Sequence, residues 1–269
     1  MDSALRASSR LPKVARTIGN RSKARNPVKP IIVIPARMAS SRLPGKPLAD
    51  IHGRPMIVHV LQRAVAADIG PVAVACGEEE IAAAVRDGGG RVAVTQPDLP
   101  SGSDRVFAAL AELDPDGAHD VVVNLQGDVP TVAAEQIRAA LRPLSDPLVD
   151  IGTVVARIAS LTEANTASFV KAACVFEEGA NTARALYFSR SPVPWGEGPL
   201  WHHIGIYAYR RRALARFVAL PPTLLEIREQ LEQLRALEAG MRIGVARVPH
   251  GFFGVDTPED LERARAMLA

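Results

Sequence analysis

The chain has 269 residues, 48% apolar and 23% charged, with a formal net charge of +3 and two cysteines, Cys76 and Cys174. That length fits one large α/β domain or two small ones, and the composition excludes disorder across the whole chain. No run approaches the roughly 18 apolar residues of a membrane span, and two cysteines make neither a disulfide scaffold nor a cysteine zinc site, so a cytoplasmic setting is expected.

The charge is unevenly placed. Residues 1–29 hold eight basic residues against the one acid Asp2, a net +7, which leaves −4 on residues 30–269. A generally basic nucleic-acid-binding surface is poorly supported by that balance, so nucleic acid is not an expected partner. The Arg- and Ser-rich segment 1–29 overlaps organellar transit peptides in composition but reads more simply as a disordered basic extension, or as an upstream start. Ordered chain is expected from about Pro30.

Ile31–Ile34 is a short, fully apolar, β-branched run, as in a buried parallel strand. A loop punctuated by Gly and Pro follows, then a helical pattern from Pro55. Val72–Cys76 reads as a strand and Glu79–Arg86 as a helix closed by Gly88-Gly-Gly90; Arg91–Thr95 reads as a strand and Ser103–Leu113 as a helix. Asp120–Leu125 is a fourth strand, ending at Gln126-Gly-Asp128. This alternation predicts an α/β fold with a mostly parallel, doubly wound, Rossmann-like sheet.

The second half changes character: of the 12 aromatics, only Phe107 precedes Phe169, and eight fall between Phe169 and Tyr209. Alternating patches at Val170–Phe176 and His203–Tyr209 suggest antiparallel strands. They predict a smaller mixed sheet, a subdomain for substrate enclosure and dimerisation at about 165–210 within a single domain of residues 30–269. Leu224–Ala239 is the longest helical pattern, with Gly240 suited to its C-terminal cap, and Ile243–Val248 and Glu259–Leu268 read as the last strand and helix.

The densest chemical signal follows the first strand, at Pro35-Ala-Arg-Met-Ala-Ser-Ser-Arg-Leu-Pro-Gly-Lys-Pro47. Ligands of parallel α/β sheets sit beyond the carboxyl ends of the strands. Arg37, Arg42 and Lys46 on a loop shaped by Gly45 and two prolines suit a triphosphate, whose charge must be neutralised before a nucleophile can approach. The pattern is neither a P-loop nor a dinucleotide fingerprint. Asp128, at a strand end facing the same crevice, is a candidate magnesium ligand, because Mg²⁺ favours one or two carboxylates with phosphate oxygens and water. Asp256 is the natural second carboxylate, though Asp256-Thr-Pro-Glu259 is equally a good helix start. Spacing alone does not pair these two aspartates.

Pro35–Leu48 (P-A-R-x-x-S-x-R-L-P-G-K-P-L) resembles the opening signature of the 3-deoxy-manno-octulosonate cytidylyltransferases, the CMP-Kdo synthetases. Similar segments follow in order at His52–His59, Ser101-Gly102 with Arg105, Val123–Asp128, Leu186–Arg190, His203–Tyr207, Leu231–Arg235 and Gly254–Leu261. The resemblance implies transfer of CMP from CTP to the sugar acid Kdo, giving CMP-Kdo and pyrophosphate for lipopolysaccharide assembly, with Mg²⁺ and as a cytoplasmic homodimer. It implies nucleotide binding by Pro35, Ala36, Arg37, Arg42, Lys46, Ser101, Gly102, Arg105 and Gln126, with Ser101-Gly102 against cytosine. Asp128 and Asp256 would hold the metal; these two, with Arg37, Arg42 and Lys46, form the expected catalytic set. The sugar acid would meet Arg190, His203, Tyr207, Glu226 and Gln233.

Four features depart from the family pattern: Cys76-Gly77 replaces a Thr-Asp pair, Val129 replaces an acid after Asp128, Ile227 replaces a histidine, and the loop Pro192–Trp201 is short. The nucleotide half is close to pattern and the sugar half has drifted. A different acceptor, such as amino-Kdo or sialic acid, or a non-catalytic nucleotide-binding relative, are the alternative readings.

Overall fold

The computed structural model describes residues 28–40 and 42–269, so segment 1–27, which falls in the expected disordered extension, lies outside the described residues. Just ahead of Pro30, Val28 packs on the core, and the Lys29 N–H donates to Asp120 Oδ1 at 2.6 Å.

β1 (Pro30–Ala36) is buried along its whole length. Ile31 and Val33 enter one apolar core while Ile32 and Ile34 enter another, as a two-residue side-chain period requires. A strand apolar on both faces needs a layer of helices above and below. The small hairpin β2 (Asp50–Ile51) and β3 (Arg54–Pro55) leads into α1 (Met56–Ala66). Then β4 (Val72–Cys76), α2 (Glu79–Asp87), β5 (Arg91–Val94), α3 (Gly102–Leu113) and β6 (Val121–Leu125) alternate, each boundary within one residue of its sequence expectation.

α4 (Ala134–Ala139) joins α1 and α2 on one face of the sheet. β7 (Ile151–Arg157) and α5 (Leu161–Asn165) come next, followed by β8 (Lys171–Cys174), β9 (Thr182–Ser189) and β10 (Trp201–Arg210). α6 (Arg211–Val218), α7 (Leu224–Glu229), α8 (Gln233–Glu238), β11 (Ile243–Val248) and α9 (Pro258–Leu268) complete the chain. α3, α6 and α8 cover the second face.

The strands form one nine-stranded sheet in the order β5-β4-β1-β6-β10-β7-β11-β9-β8. β5, β4, β1 and β6 are parallel, and β10 enters antiparallel between β6 and β7. The smaller mixed region expected around 165–210 is therefore the far end of the main sheet. There β8 also pairs with β10, at Lys171 and His202, so β7, β11, β9, β8 and β10 return on themselves.

The long helix expected over Leu224–Ala239 is broken. Gln230 takes a left-handed conformation (φ 54°, ψ 47°), ending α7, and α8 starts three residues later. Residues 226 and 235 of one continuous helix would lie about 180° apart around its axis. The break instead brings the Glu226 carboxylate against the Arg235 guanidinium, with N–O distances of 2.8 and 2.5 Å, and lets Leu231 enter the core. A buried ion pair and an apolar anchor override the helical periodicity.

Near the start of β7, a Cβ on Gly152 would stand 2.2 Å from the Ala140 carbonyl oxygen. Gly152→Ala is expected to cost about 2 kcal/mol of stability by overpacking, measured as a lower midpoint in urea unfolding.

Candidate active site

β1 and β6 are neighbours, yet the chain leaves β1 toward β4 on its other side, so the strand order reverses between them. A crevice opens beyond their carboxyl ends at such a switch point. Gly127 lets the two ends close up: a Cβ there would come 2.8 Å from the Pro35 carbonyl. The resulting cleft, about 320 Å³, is lined by Arg37, Arg42 and Lys46 from one side and by Ser101, Gln126, Asp128 and Asp256 from others.

Gly45, at φ +69°, turns the cationic loop into a short 3-10 turn, Lys46–Leu48, which points Lys46 into the cleft. The Lys46 ammonium lies 2.6 Å from Asp128 Oδ2 and 3.0 Å from Asp256 Oδ1, and Arg42 reaches Asp256 Oδ2 at 2.9 Å. Burial alone would lower the Lys46 pKa, but the two carboxylates, Asp128 foremost, raise it on balance, so the cation persists. Arg37 is exposed at the mouth and makes no ion pair among the described residues.

The pairing of Asp128 with Asp256, which spacing left open, comes from the backbone. The Val255 N–H donates to the Asp128 carbonyl at 2.8 Å, stitching the two segments together. Thr257 caps α9 with Pro258 in its first turn, while the Asp260 carboxylate accepts from the Asp256 and Thr257 N–H groups at 3.1 Å each. The Asp-Thr-Pro-Glu segment thus both starts a helix and delivers a carboxylate to the cleft.

Ser101 caps α3, accepting from the Asp104 N–H at 3.2 Å and donating to Asp104 Oδ2 at 2.7 Å. Gly102, the first helical residue, faces Pro35 across the cleft. Arg105 lines the cleft floor, but its buried guanidinium donates to Thr95 Oγ1 and to the carbonyls of Gln96 and Pro97 at 2.7–3.0 Å. It fixes the segment that leads to Ser101. Gln126 donates to Asn124 at 2.9 Å, and Asn124 reaches Ser103, which in turn donates to Glu232 at 2.9 Å. This polar chain joins the cleft to α8. Sequence reading missed it, although a lone Asn in the apolar run Val121–Leu125 was a signal of buried hydrogen bonding.

The five candidates for the sugar acid divide. His203 and Tyr207 share one side of β10, their rings 5.5 Å apart, and the His203 ring nitrogen lies 3.1 Å from Thr153 Oγ1. Burial pushes the His203 pKa down to about 3, so the ring is neutral. Gln233 is buried with its Nε2 unpartnered among the described residues. Arg190 is instead tied to the carbonyls of Glu229, Gln230 and Ala167 at 2.7–3.2 Å. Glu226 is closed in its pair with Arg235, which offsets the effect of burial and lowers its pKa. These two brace the α7–α8 corner.

Cys76 is buried, which pushes its thiol up to about 11 and rules it out as a nucleophile. Two departures from the family pattern have local causes, since Val129 packs into the core and a Cβ on Gly77 would stand 2.5 Å from Pro97 Cα; nothing in the structure explains Ile227, which is exposed on α7. In the short loop Pro192–Trp201, Trp195 is 99% exposed.

Residues 31–243 match the family model for cytidylyltransferases. The chain is 61% identical to the 3-deoxy-manno-octulosonate cytidylyltransferase of Rhodospirillum centenum over 242 residues, covering 90% of this chain and 94% of that protein. It is 62% identical to the protein of the same name from Xanthobacter autotrophicus over 239 residues, covering 89% and 93%. Among solved structures, a CMP:2-keto-3-deoxy-manno-octonic acid synthetase complexed with CTP superposes with a TM-score of 0.81 at 39% identity, covering 89% of this chain and 98% of that one.

Replacing Glu226 by Gln leaves the buried Arg235 with only the more distant Glu232, at 3.9 Å, as an ion-pair partner and is expected to cost about 3 kcal/mol of stability at neutral pH. The folded carboxyl pKa is depressed, so this contribution is complete above the unfolded value near 4.3 and fades as pH falls through the folded value. Urea unfolding of both proteins from pH 7 to pH 3 should show the difference shrinking.

Proposed function

The chain belongs to the cytidylyltransferase family, and we infer that it transfers CMP from CTP to the anomeric hydroxyl of 3-deoxy-manno-octulosonate (Kdo), releasing pyrophosphate. The observation that carries this reading is the meeting of Arg42, Lys46, Asp128 and Asp256 in one cleft at the switch point of the sheet.

In the proposed arrangement, the β- and γ-phosphates of CTP lie against Arg37, Arg42 and Lys46, and cytosine lies over Ser101 and Gly102. Pro35, Ala36 and Gln126 form the wall beneath the nucleotide, and Arg105 acts through the loop it holds. The donor set suits a magnesium ion. Asp128 and Asp256 already converge on one cation, the Lys46 ammonium. Among the described residues no group of three or more His, Cys, Asp or Glu is gathered for a metal, which fits an ion completed by phosphate oxygens and water. When bound, Mg²⁺ would neutralise phosphate charge and make the sugar hydroxyl more acidic.

The anomeric hydroxyl releases its proton to water as its oxygen attacks the α-phosphorus in line and the bond to the leaving pyrophosphate breaks. Arg37, Arg42 and Lys46 stabilise the charge that develops on the departing oxygens. A protein nucleophile is not needed, so the buried Cys76 has no part. For the acceptor, His203 as a neutral hydrogen-bonding ring, Tyr207 and Gln233 are proposed to meet the sugar, with Arg190 and Glu226 shaping its wall. No helix of the described residues is long and apolar enough to cross a membrane, and we propose a cytoplasmic enzyme. The exposed Leu186 and Trp195 support a homodimer formed through the aromatic half.

Pyrophosphate release from CTP should depend on Kdo and on Mg²⁺; faster release with amino-Kdo or sialic acid would move the assignment to that acceptor. Lys46→Ala is expected to lose roughly 3 kcal/mol of transition-state stabilisation, a hundredfold or more in kcat. A near-normal rate at saturating CTP would remove Lys46 from its role.

A further inference from the structure

We propose that Glu78 is a positioning residue for the triphosphate loop, clamping it from outside the cleft. The inference rests on the cytidylyltransferase reading of that cleft, but neither Glu78 nor its main partner, Met38, lines it. Glu78 is the N-cap of α2, yet its side chain makes no bond to the first turn of that helix. The carboxylate turns the other way. One oxygen accepts from the Met38 N–H at 2.9 Å, and the other accepts from the Gly77 N–H at 3.1 Å. Met38 sits between Arg37 and Ala39, both of which line the cleft.

The packing explains why the acid stands at 78. Position 77 is closed to any side chain by Pro97, whose carbonyl is held by Arg105. A carboxylate bridging the end of β4 to the loop after β1 must therefore come from the next residue. Glu78 pins the start of the loop, and the ion pairs of Lys46 and Arg42 secure its end. Arg37 lies next to the first anchor and Arg42 belongs to the second, so both are held near the geometry the phosphates require, which lowers the ordering cost of binding.

Charge and tether predict opposite signs. A carboxylate near a polyphosphate site repels the ligand, so if charge alone mattered, removing it would tighten CTP binding. If the tether matters, removing it weakens CTP binding. Glu78→Ala deletes both, Glu78→Gln keeps an acceptor oxygen without the charge, and Glu78→Asp keeps the charge but is one methylene shorter. Pyrophosphate release in the full chain should show KM for CTP raised about tenfold in Glu78→Ala and Glu78→Asp. Glu78→Gln should stay within about threefold of the parent, and KM for Kdo should change little in all three. Hydrogen exchange at the Met38 amide, read by NMR, should accelerate in the Ala and Asp variants alone.

Unchanged or tighter CTP binding in Glu78→Asp, or Met38 exchange at the parent rate, would overturn the proposal. So would an equal rise of KM in all three variants. If Glu78→Ala does not fold, the Asp and Gln variants carry the same comparison. Failure of the parent protein to turn over CTP with Kdo would instead overturn the cytidylyltransferase reading, and the exchange measurement would still decide whether the tether exists.

Discussion

Two carboxylates, brought from positions 128 residues apart in sequence, share one ammonium group at 2.6 and 3.0 Å. The other parts of the nucleotide half serve that meeting. The parallel strands β1 and β6 present their carboxyl ends side by side, and Gly127 lets those ends close up. Gly45 turns Lys46 inward, and a single backbone bond from Val255 to Asp128 carries the last helix to the opposite wall. Held together in a half-buried cleft, like charges would repel; the cations of the loop make the cluster stable and also suit it to an anionic ligand.

The parallel half of the fold was legible because each strand is apolar on both faces and each helix is bounded by glycine, proline or a capping side chain. β4, β5 and β6 could be read almost residue by residue and β1 by its central four residues, while the short hairpin of β2 and β3 passed as loop. β7 passed unread although Ile151–Ala156 is as buried as β1, because the segments around it lack the strand–helix alternation that gave the earlier strands their context. The break at Gln230 was invisible for a different reason. Local periodicity favours one helix over Leu224–Ala239, and only the tertiary pairing of Glu226 with Arg235 overrides it.

The site divided in the same way. The cationic loop is contiguous in sequence, so its chemistry could be read directly. Asp128 and Asp256 could be nominated singly but joined only through resemblance, since their contact depends on how the chain returns. Glu78 was obscured by its setting in Gly77-Glu-Glu-Glu80, an acidic run that reads as a solvated helix start. Among the residues nominated for the sugar acid, residue type alone could not separate a guanidinium free to face a ligand from one holding three carbonyls, as Arg190 does.

The return of β8 onto β10 also affects solubility. An open sheet has two margins with unpaired backbone groups, each a template onto which a foreign strand can add. Here the mixed end folds back onto β10 through the Lys171–His202 pair, so among the described strands β5 is the margin without a second neighbour. It is four residues long and begins with Arg91. Short, charged margins are poor templates, so the curl at the other end also guards the molecule against edge-to-edge aggregation.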